Sequence, residues 1–433
     1  MDVLMKILQV VLALSLLIFI HELGHFMWAR IFGIRVDKFF LFFDVGGKAL
    51  FRFRKGETEF GIGWLPLGGY CKISGMVDES MDLEQLKQEP EPWEFRTHPA
   101  GQRLMVMAGG VLNNFIFAIL VYACIMAIWG QSFISNKGSK IYVNDLAFEM
   151  GFRNGDEILK LDDYVPEDFA YLQADMVRKG AQTATVLRGT DTLQLYIDHS
   201  MTGQILNSPM MFDLAVPFVI DSVAAGGPNA ASGLERQDKV IAFDGEKIEF
   251  VQDAREVLLR KKGMETTASV VRGGDTIAVN VCVDTAGLIG VYMEMPNIEY
   301  RHYNMVSAIP EGLKLTWNTI RGYLQDLKLI ASPQTGAYKS VGSFIAIGQV
   351  FPSSWNWYQF LDILALLSIM LGVMNLIPIP GLDGGHILFT LYEIVTGRKP
   401  GDKFLAAAQM AGLVLLILLM LLAFGNDIGR LIQ

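Results

Sequence analysis

Four stretches of this chain are long and apolar enough to make lipid their natural solvent: Val3–Ala29, Leu104–Trp129, Phe360–Ile379 and Phe404–Phe424. A hydrocarbon core of roughly 30 Å is crossed by about 20 apolar residues in a helix. Inside lipid every backbone N–H and C=O must be satisfied within the chain, which leaves helices or closed barrels. Apolar residues make up 52% of the sequence and charged ones only 19%, and the spans hold almost none of the charge. The chain therefore reads as a multi-pass α-helical membrane protein with four transmembrane helices. No small-x-small cleavage site follows the first apolar stretch, so it is expected to be retained as a helix. The third span carries Asp362 near its start. It reads as one crossing over residues 360–394, broken near 378–381 and resumed at Gly384–Ile394.

The cationic residues set an orientation. Eleven Lys and Arg lie between Arg30 and Arg103, and Arg398, Lys399 and Lys403 lie between the last two spans. Only Lys6 and Arg430 mark the ends. Positive loops face the cytoplasm, so both termini and the large insert after Trp129 are expected outside. A formal net charge of −9 gives no basic footprint for nucleic acid. Cys71, Cys124 and Cys282 are too scattered for a disulfide framework or a Cys-based metal site.

Residues 35–75 predict a hairpin, with Ala49–Phe53 and Glu59–Gly63 alternating around Lys55-Gly56. The following Trp64–Tyr70 is too apolar for an ordinary loop, so the hairpin is expected to dip into the membrane. The insert contains a repeat. Gly151–Asp162 matches Gly233–Asp244 at a spacing of 82, and Val186–Thr192 matches Val270–Thr276 at a spacing of 84. Two α/β modules are expected at 138–212 and 213–293, each with short strands, turns and one helix (Gln252–Arg260 in the second). Their Gly-x-x-x-x-Asp runs and the Asp244-Gly245 turn resemble PDZ domains. Gln237 and Asp163 depart from that pattern by replacing glycines. The segment 303–350 carries apolar residues at helical spacing from Ile309 to Leu327. It predicts an amphipathic helix on the membrane surface or packed on the repeats. The membrane part resumes at 356–433.

The chemistry lies inside the spans. In His21-Glu22-x-x-His25 two imidazoles share one helix face, a spacing that can hold one Zn²⁺, with Glu22 beside them as a general base. Zinc can bring the pKa of a bound water down to about 7. An ionised residue at the centre of a membrane helix costs roughly 2.5–3.5 kcal/mol on insertion scales, so a purely structural helix would carry leucine there. A third ligand must come from another span. Asp383 is the strongest candidate, in the run Asn375–His386 that is broken by Pro378, Pro380, Gly381, Gly384 and Gly385. His386 is the alternative. Asn375 could donate to a substrate carbonyl, or could cap freed backbone. Asn113 and Asn114 could orient substrate, line a water path, or join helices.

These features resemble the site-2 protease family of intramembrane metalloproteases. The resemblance rests on the intramembrane His21-Glu22-x-x-His25, on Asn375-x-x-Pro378 leading into Leu382-Asp383-Gly384, on Pro66-Leu67-Gly68-Gly69-Tyr70, and on the order of the spans. The tandem insert makes the chain similar to the bacterial members with paired PDZ domains. The resemblance implies one Zn²⁺ per chain on His21, His25 and Asp383, with Glu22 as catalytic base. It implies substrate binding by Asn375, Asn113, Gly68 and Gly69, and edge-strand pairing of substrate with the hairpin. Implied substrates are single-span membrane proteins, such as anti-sigma factors already trimmed by an upstream protease, and remnant signal peptides. The implied location is a bacterial inner membrane, with the PDZ-like pair on the periplasmic side. The family's second-span Gly-Pro-x-x-Asn appears as Gly109-Gly110-Val111-Leu112-Asn113, without its proline. A membrane-anchored binding module and a metal transporter are the rival readings.

Overall fold

The computed structural model describes residues 2–66, 68–76, 89–294, 298–332, 335, 338 and 341–432. Leu67 and Lys87, and the side chains of His199, Lys403 and Arg430, lie outside the described residues. The chain forms two compact units, residues 1–130 with 302–433, and residues 131–301.

In the first unit the helices are α1 (Asp2–Ile31) and α2 (Ala100–Trp129) before the insert. Four helices among the described residues are long and apolar enough to cross a membrane: α1, α2, Trp357–Leu376 and the helix containing Phe404–Gly429. Helix α2 lies at the centre. It meets α1 through glycines: a Cβ on Gly24 would lie 2.2 Å from the Gly109 carbonyl oxygen. Small residues of this kind let membrane helices approach to backbone contact.

Between α1 and α2 the expected hairpin is part of a larger sheet. Strands β1 (Val36–Leu41), β2 (Ala49–Lys55), β3 (Thr58–Gly63) and β4 (Tyr70–Ile73) run in the order β2-β3-β1-β4. Strands β2 and β3 pair antiparallel as expected, but β1 lies parallel to β3, with Phe40 opposite Gly61. Strand β4 closes the sheet antiparallel to β1, with Phe40 opposite Tyr70. Gly61 is needed there, because a Cβ would lie 2.4 Å from the Phe40 ring. Strand β3 thus has both edges paired, and β4 is an edge strand.

The second unit holds the repeat. Its elements are β5 (Gln131–Ile134), β6 (Ile141–Val143), α3 (Asp145–Glu149), β7 (Glu157–Leu161), α4 (Leu172–Arg178), β8 (Thr183–Arg188), β9 (Asp191–Tyr196), α5 (Thr202–Asn207) and β10 (Phe212–Leu214). They continue as β11 (Ile220–Val223), β12 (Lys239–Phe243), β13 (Glu246–Lys247), α6 (Val251–Arg260), β14 (Glu265–Arg272), β15 (Asp275–Cys282), β16 (Val291–Met293) and β17 (Ile298–Arg301). The sheet β7-β8-β9 corresponds to β12-β14-β15, and the pair β6–β10 to β11–β16. One ion-pair network recurs. Arg188 grips the fully buried Asp156 at 2.8 Å and donates to the Gly151 carbonyl, while Arg272 grips the fully buried Asp238 at 2.7 Å and donates to the Gly233 carbonyl. This explains why Gly, Asp and Arg recur together. Gln237 (φ +70°) takes the left-handed conformation that Gly155 (φ +87°) holds in the first repeat. The repeats differ in one connection. In the first, α5 packs on α4, and Gln173 donates to the Ile205 and Ser208 carbonyls. In the second, residues 283–290 make a short turn instead.

The chain returns to the first unit with α7 (Met305–Ala331), α8 (Phe344–Val350), α9 (Trp357–Leu376), α10 (Asp383–Thr396) and α11 (Asp402–Ile432). Helix α7 packs lengthwise on α2, a partner its amphipathic pattern could not name. A Cβ on its Gly312 would lie 2.8 Å from Ile119 O and Ala123 N, and Leu315, Ile320, Tyr323 and Leu327 join Ala118 and Tyr122 in one cluster. The third span ends at Leu376, three residues earlier than expected. Ile377 and Ile379 each precede a proline, which disfavours the helical conformation. The chain then folds back tightly, and a Cβ on Gly384 would lie 2.2 Å from the Ile377 carbonyl oxygen. Arg103 of α2 and Glu393 of α10 form a 2.6 Å ion pair that ties this second half-helix to α2. Helix α11 is mostly exposed, held where Gly412 abuts Pro380 and where Asp427 accepts from Ser343 N and Oγ at 2.7 and 2.6 Å.

Candidate metal centre

The i, i+4 spacing on α1 stacks His21 and His25 on one face, with their Nε2 atoms 3.3 Å apart and both rings buried. Asp383 arrives from the first turn of α10. Its Oδ2 lies 3.1 Å from His21 Nε2 and 3.3 Å from His25 Nε2. Among the described residues these three form the one cluster of three His, Cys, Asp or Glu side chains able to hold a metal ion. His386, the alternative third group, instead directs Nε2 to Gln409 Nε2 at 3.1 Å.

The donor set fits a divalent metal on several counts. Two imidazoles and one carboxylate are a ligand set used for catalytic zinc. Asp383 Oδ2 is buried yet accepts no well-formed hydrogen bond, which leaves a lone pair aimed between the imidazoles. Gly110 of α2 keeps the space clear, since a Cβ there would lie 2.5 Å from His25 Nε2 and 2.6 Å from His21 Cε1. His25 Nδ1 lies 2.9 Å from the Val106 carbonyl oxygen. A carbonyl only accepts, so Nδ1 carries the proton and Nε2 offers its lone pair to the cluster.

The cluster opens into a cavity of about 870 Å³. Glu22 lines it, half-buried beside the histidines. Gly68 to Ile73, including the whole of β4, form one wall, and Asn375, Asp383, His386, Gln409 and Leu413 form another. Gly69 is confined: a Cβ there would lie 2.7 Å from Ile18 Cγ2 and 3.7 Å from Glu22 Cγ. Also on the cavity lining, Asp44 accepts from Lys38 at 2.8 Å and from the Tyr70 hydroxyl at 2.7 Å. Burial pushes the Asp44 carboxyl up, but these hydrogen bonds outweigh it and hold it below the ordinary carboxylate range.

Of the amides singled out from sequence, Asn375 reaches the site, with Nδ2 3.3 Å from His21 Nε2. Asn113 does not. Its Nδ2 lies 3.4 Å from the Ile20 carbonyl oxygen, and the residue does not line the cavity. Its neighbour Asn114 is fully buried, with Nδ2 3.2 Å from His21 Nδ1. The Gly-x-x-x-Asn spacing of Gly109 and Asn113 is met again by Gly110 and Asn114, and the second pair is the one that touches the histidines. Adjacent residues diverge by about 100° around a helix, so a one-residue shift in register decides which amide faces in.

Comparison with known proteins gives the family. The sequence profile described as peptidase family M50 matches residues 9–419. A regulator of sigma-E protease, RseP, of Salmonella typhimurium is 30% identical over 463 aligned residues that cover 100% of both chains. The corresponding Escherichia coli K12 protein is 29% identical, over 97% of this chain and 98% of its own. A Neisseria meningitidis protein named "Putative zinc metalloprotease" is 29% identical, over 98% of this chain and 99% of its own. The chain thus belongs to peptidase family M50, the site-2 protease family, and is a membrane metalloprotease.

Proposed function

We propose that this protein hydrolyses peptide bonds of single-span membrane proteins in or beside the bilayer, at one zinc ion held by His21, His25 and Asp383. The observation that carries this reading is the meeting of two imidazoles and a carboxylate within 4.8 Å, on α1 and on α10, the helix that follows the break after the third span. Bound there, zinc would supply Lewis-acid activation of water and of the scissile carbonyl at neutral pH. Glu22 takes the proton released by the attacking water and delivers it to the leaving amine nitrogen. Asn375, with its amide at the cluster, hydrogen-bonds the substrate carbonyl and holds it in place.

The substrate helix must unwind, because a helical peptide bond has its carbonyl committed. Strand addition compensates it. Of the sheet's two edge strands, β2 and β4, it is β4 that lines the cavity, so the pairing strand is β4. Gly68 and Gly69 let the substrate backbone approach Glu22. Residues 138–212 and 213–293 act as PDZ-like modules that admit substrates already shortened by another protease. Two relatives are named for regulation of sigma-E, and in this reading the substrates are anti-sigma factors of a bacterial inner membrane, with remnant signal peptides a second class. Both termini and the modules face the periplasm. A metal transporter needs several polar sites along a route, and a single cluster among the described residues favours hydrolysis instead.

The test is zinc content together with cleavage of a single-span substrate by the purified full chain. His21→Ala and Asp383→Asn should lose both, and Glu22→Gln should keep zinc but not cleave. Normal cleavage by the Glu22→Gln protein overturns the base assignment.

A further inference from the structure

Two amides flank the imidazole of His21, and the hydrolytic scheme uses only one. Asn114 is the other. It has no exposed surface, its Nδ2 lies 3.2 Å from His21 Nδ1, and its Oδ1 has no hydrogen-bond partner. Its backbone carbonyl accepts from Ser368 Oγ at 2.8 Å, which fixes this part of α2 against α9.

The assigned amide orientations conflict with the chemistry of the ring. Asn114 Nδ2 faces Nδ1 and Asn375 Nδ2 faces Nε2. Both can donate only if both ring nitrogens accept, and a neutral imidazole has a single acceptor nitrogen. At least one amide must therefore be turned over, and the oxygen and nitrogen of an amide are nearly alike in shape. With Nδ2 of Asn114 toward the ring, the His21 proton sits on Nε2 and takes up the position that a metal would need. With Oδ1 toward the ring, the proton sits on Nδ1, and Nε2 presents a lone pair to the cluster. Only the second arrangement makes His21 a ligand. His25 has no such choice, because the Val106 carbonyl can only accept.

We propose that Asn114 is a positioning residue that holds His21 in its ligand tautomer: with Oδ1 toward the ring it accepts from Nδ1–H and leaves the Nε2 lone pair to the metal. This inference rests on the reading of His21, His25 and Asp383 as metal ligands.

The experiment is a zinc dissociation constant, measured by chelator competition on the detergent-solubilised full chain, with thermal unfolding of the metal-free protein alongside. Loss of a hydrogen-bond partner behind a ligating histidine typically weakens metal binding about 10–100-fold. Asn114→Leu should show a loss of that order, and Asn114→Ala is the alternative should the leucine fold poorly. Asn114→Asp, an acceptor of nearly the same shape, should bind within about threefold of wild type or tighter, because it holds the ligand tautomer permanently. Wild-type affinity in the Leu and Ala proteins overturns the proposal. So does an equal loss in the Asp protein, which would mark a packing role. Absence of zinc from the wild type, or normal zinc binding by His21→Ala, would instead remove the ligand reading itself.

Discussion

Gly24 of α1 and Gly109 of α2 meet backbone to backbone: a Cβ on Gly24 would lie 2.2 Å from the Gly109 carbonyl oxygen, and one on Gly109 would lie 2.8 Å from that of Gly24. The contact sits one residue before His25 and one before Gly110. Gly24→Val should push the helices apart, with a cost of about 1–3 kcal/mol for overpacking. It should lower the unfolding temperature and the zinc content together. Full zinc content in a folded Gly24→Val protein would contradict this.

Gly69 offers a cleaner separation of binding from metal chemistry. Its missing side chain would meet Ile18, the Phe40 carbonyl and Glu22, none of them a residue of the metal cluster. Gly69→Ala should leave zinc content unchanged and reduce cleavage on the order of 10–100-fold, the usual consequence of misplacing a substrate by about 1 Å. Comparing zinc stoichiometry with initial rates decides it.

Metal removal should be visible without any substrate. A ligand that binds only the folded state, at a hundred times its dissociation constant, stabilises by about 2.7 kcal/mol. Unfolding should therefore shift to lower temperature on chelation in the wild type. The shift should be absent in His21→Ala.

The repeated Arg–Asp clamp gives a pH prediction. Hydrogen bonds from Arg272 hold the Asp238 carboxyl below its ordinary value. A carboxyl depressed in the folded state contributes stability above its unfolded pKa of about 3.9, and that stability fades as pH falls through the lower folded value. Arg272→Ala leaves the buried Asp238 carboxylate without its guanidinium partner and should lower the stability of the second unit near pH 7. The gap between variant and wild type should close as the pH falls below about 4. Unfolding of the second unit at pH 7 and at low pH, followed by hydrogen exchange, measures both.

What the sequence disclosed follows physical rules of short range. His21, Glu22 and His25 are legible because they share one helix turn and because lipid penalises them. Asp383 is legible because prolines and glycines surround it in an apolar run. The repeat was visible as spacing, but the pairing of Asp156 with Arg188 was not, since the two lie 32 residues apart. The parallel contact of Val36–Leu41 with β3 and the docking of α7 on α2 depend on tertiary neighbours that no local pattern encodes. Asn113 and Asn114 are the sharpest case. Both are polar, adjacent and in lipid, and only the rotation of α2 at its glycine crossing decides between them.

The interruption between Leu376 and Asp383 has a further electrostatic consequence. By restarting the helix at Asp383, the fold puts this carboxylate in the first turn of α10, where unsatisfied N–H groups give a helix its partial positive charge. An anion that would be costly in mid-membrane is thus met by an oriented dipole before any cation arrives. An unbroken helix through this region would bury the same carboxylate without that field.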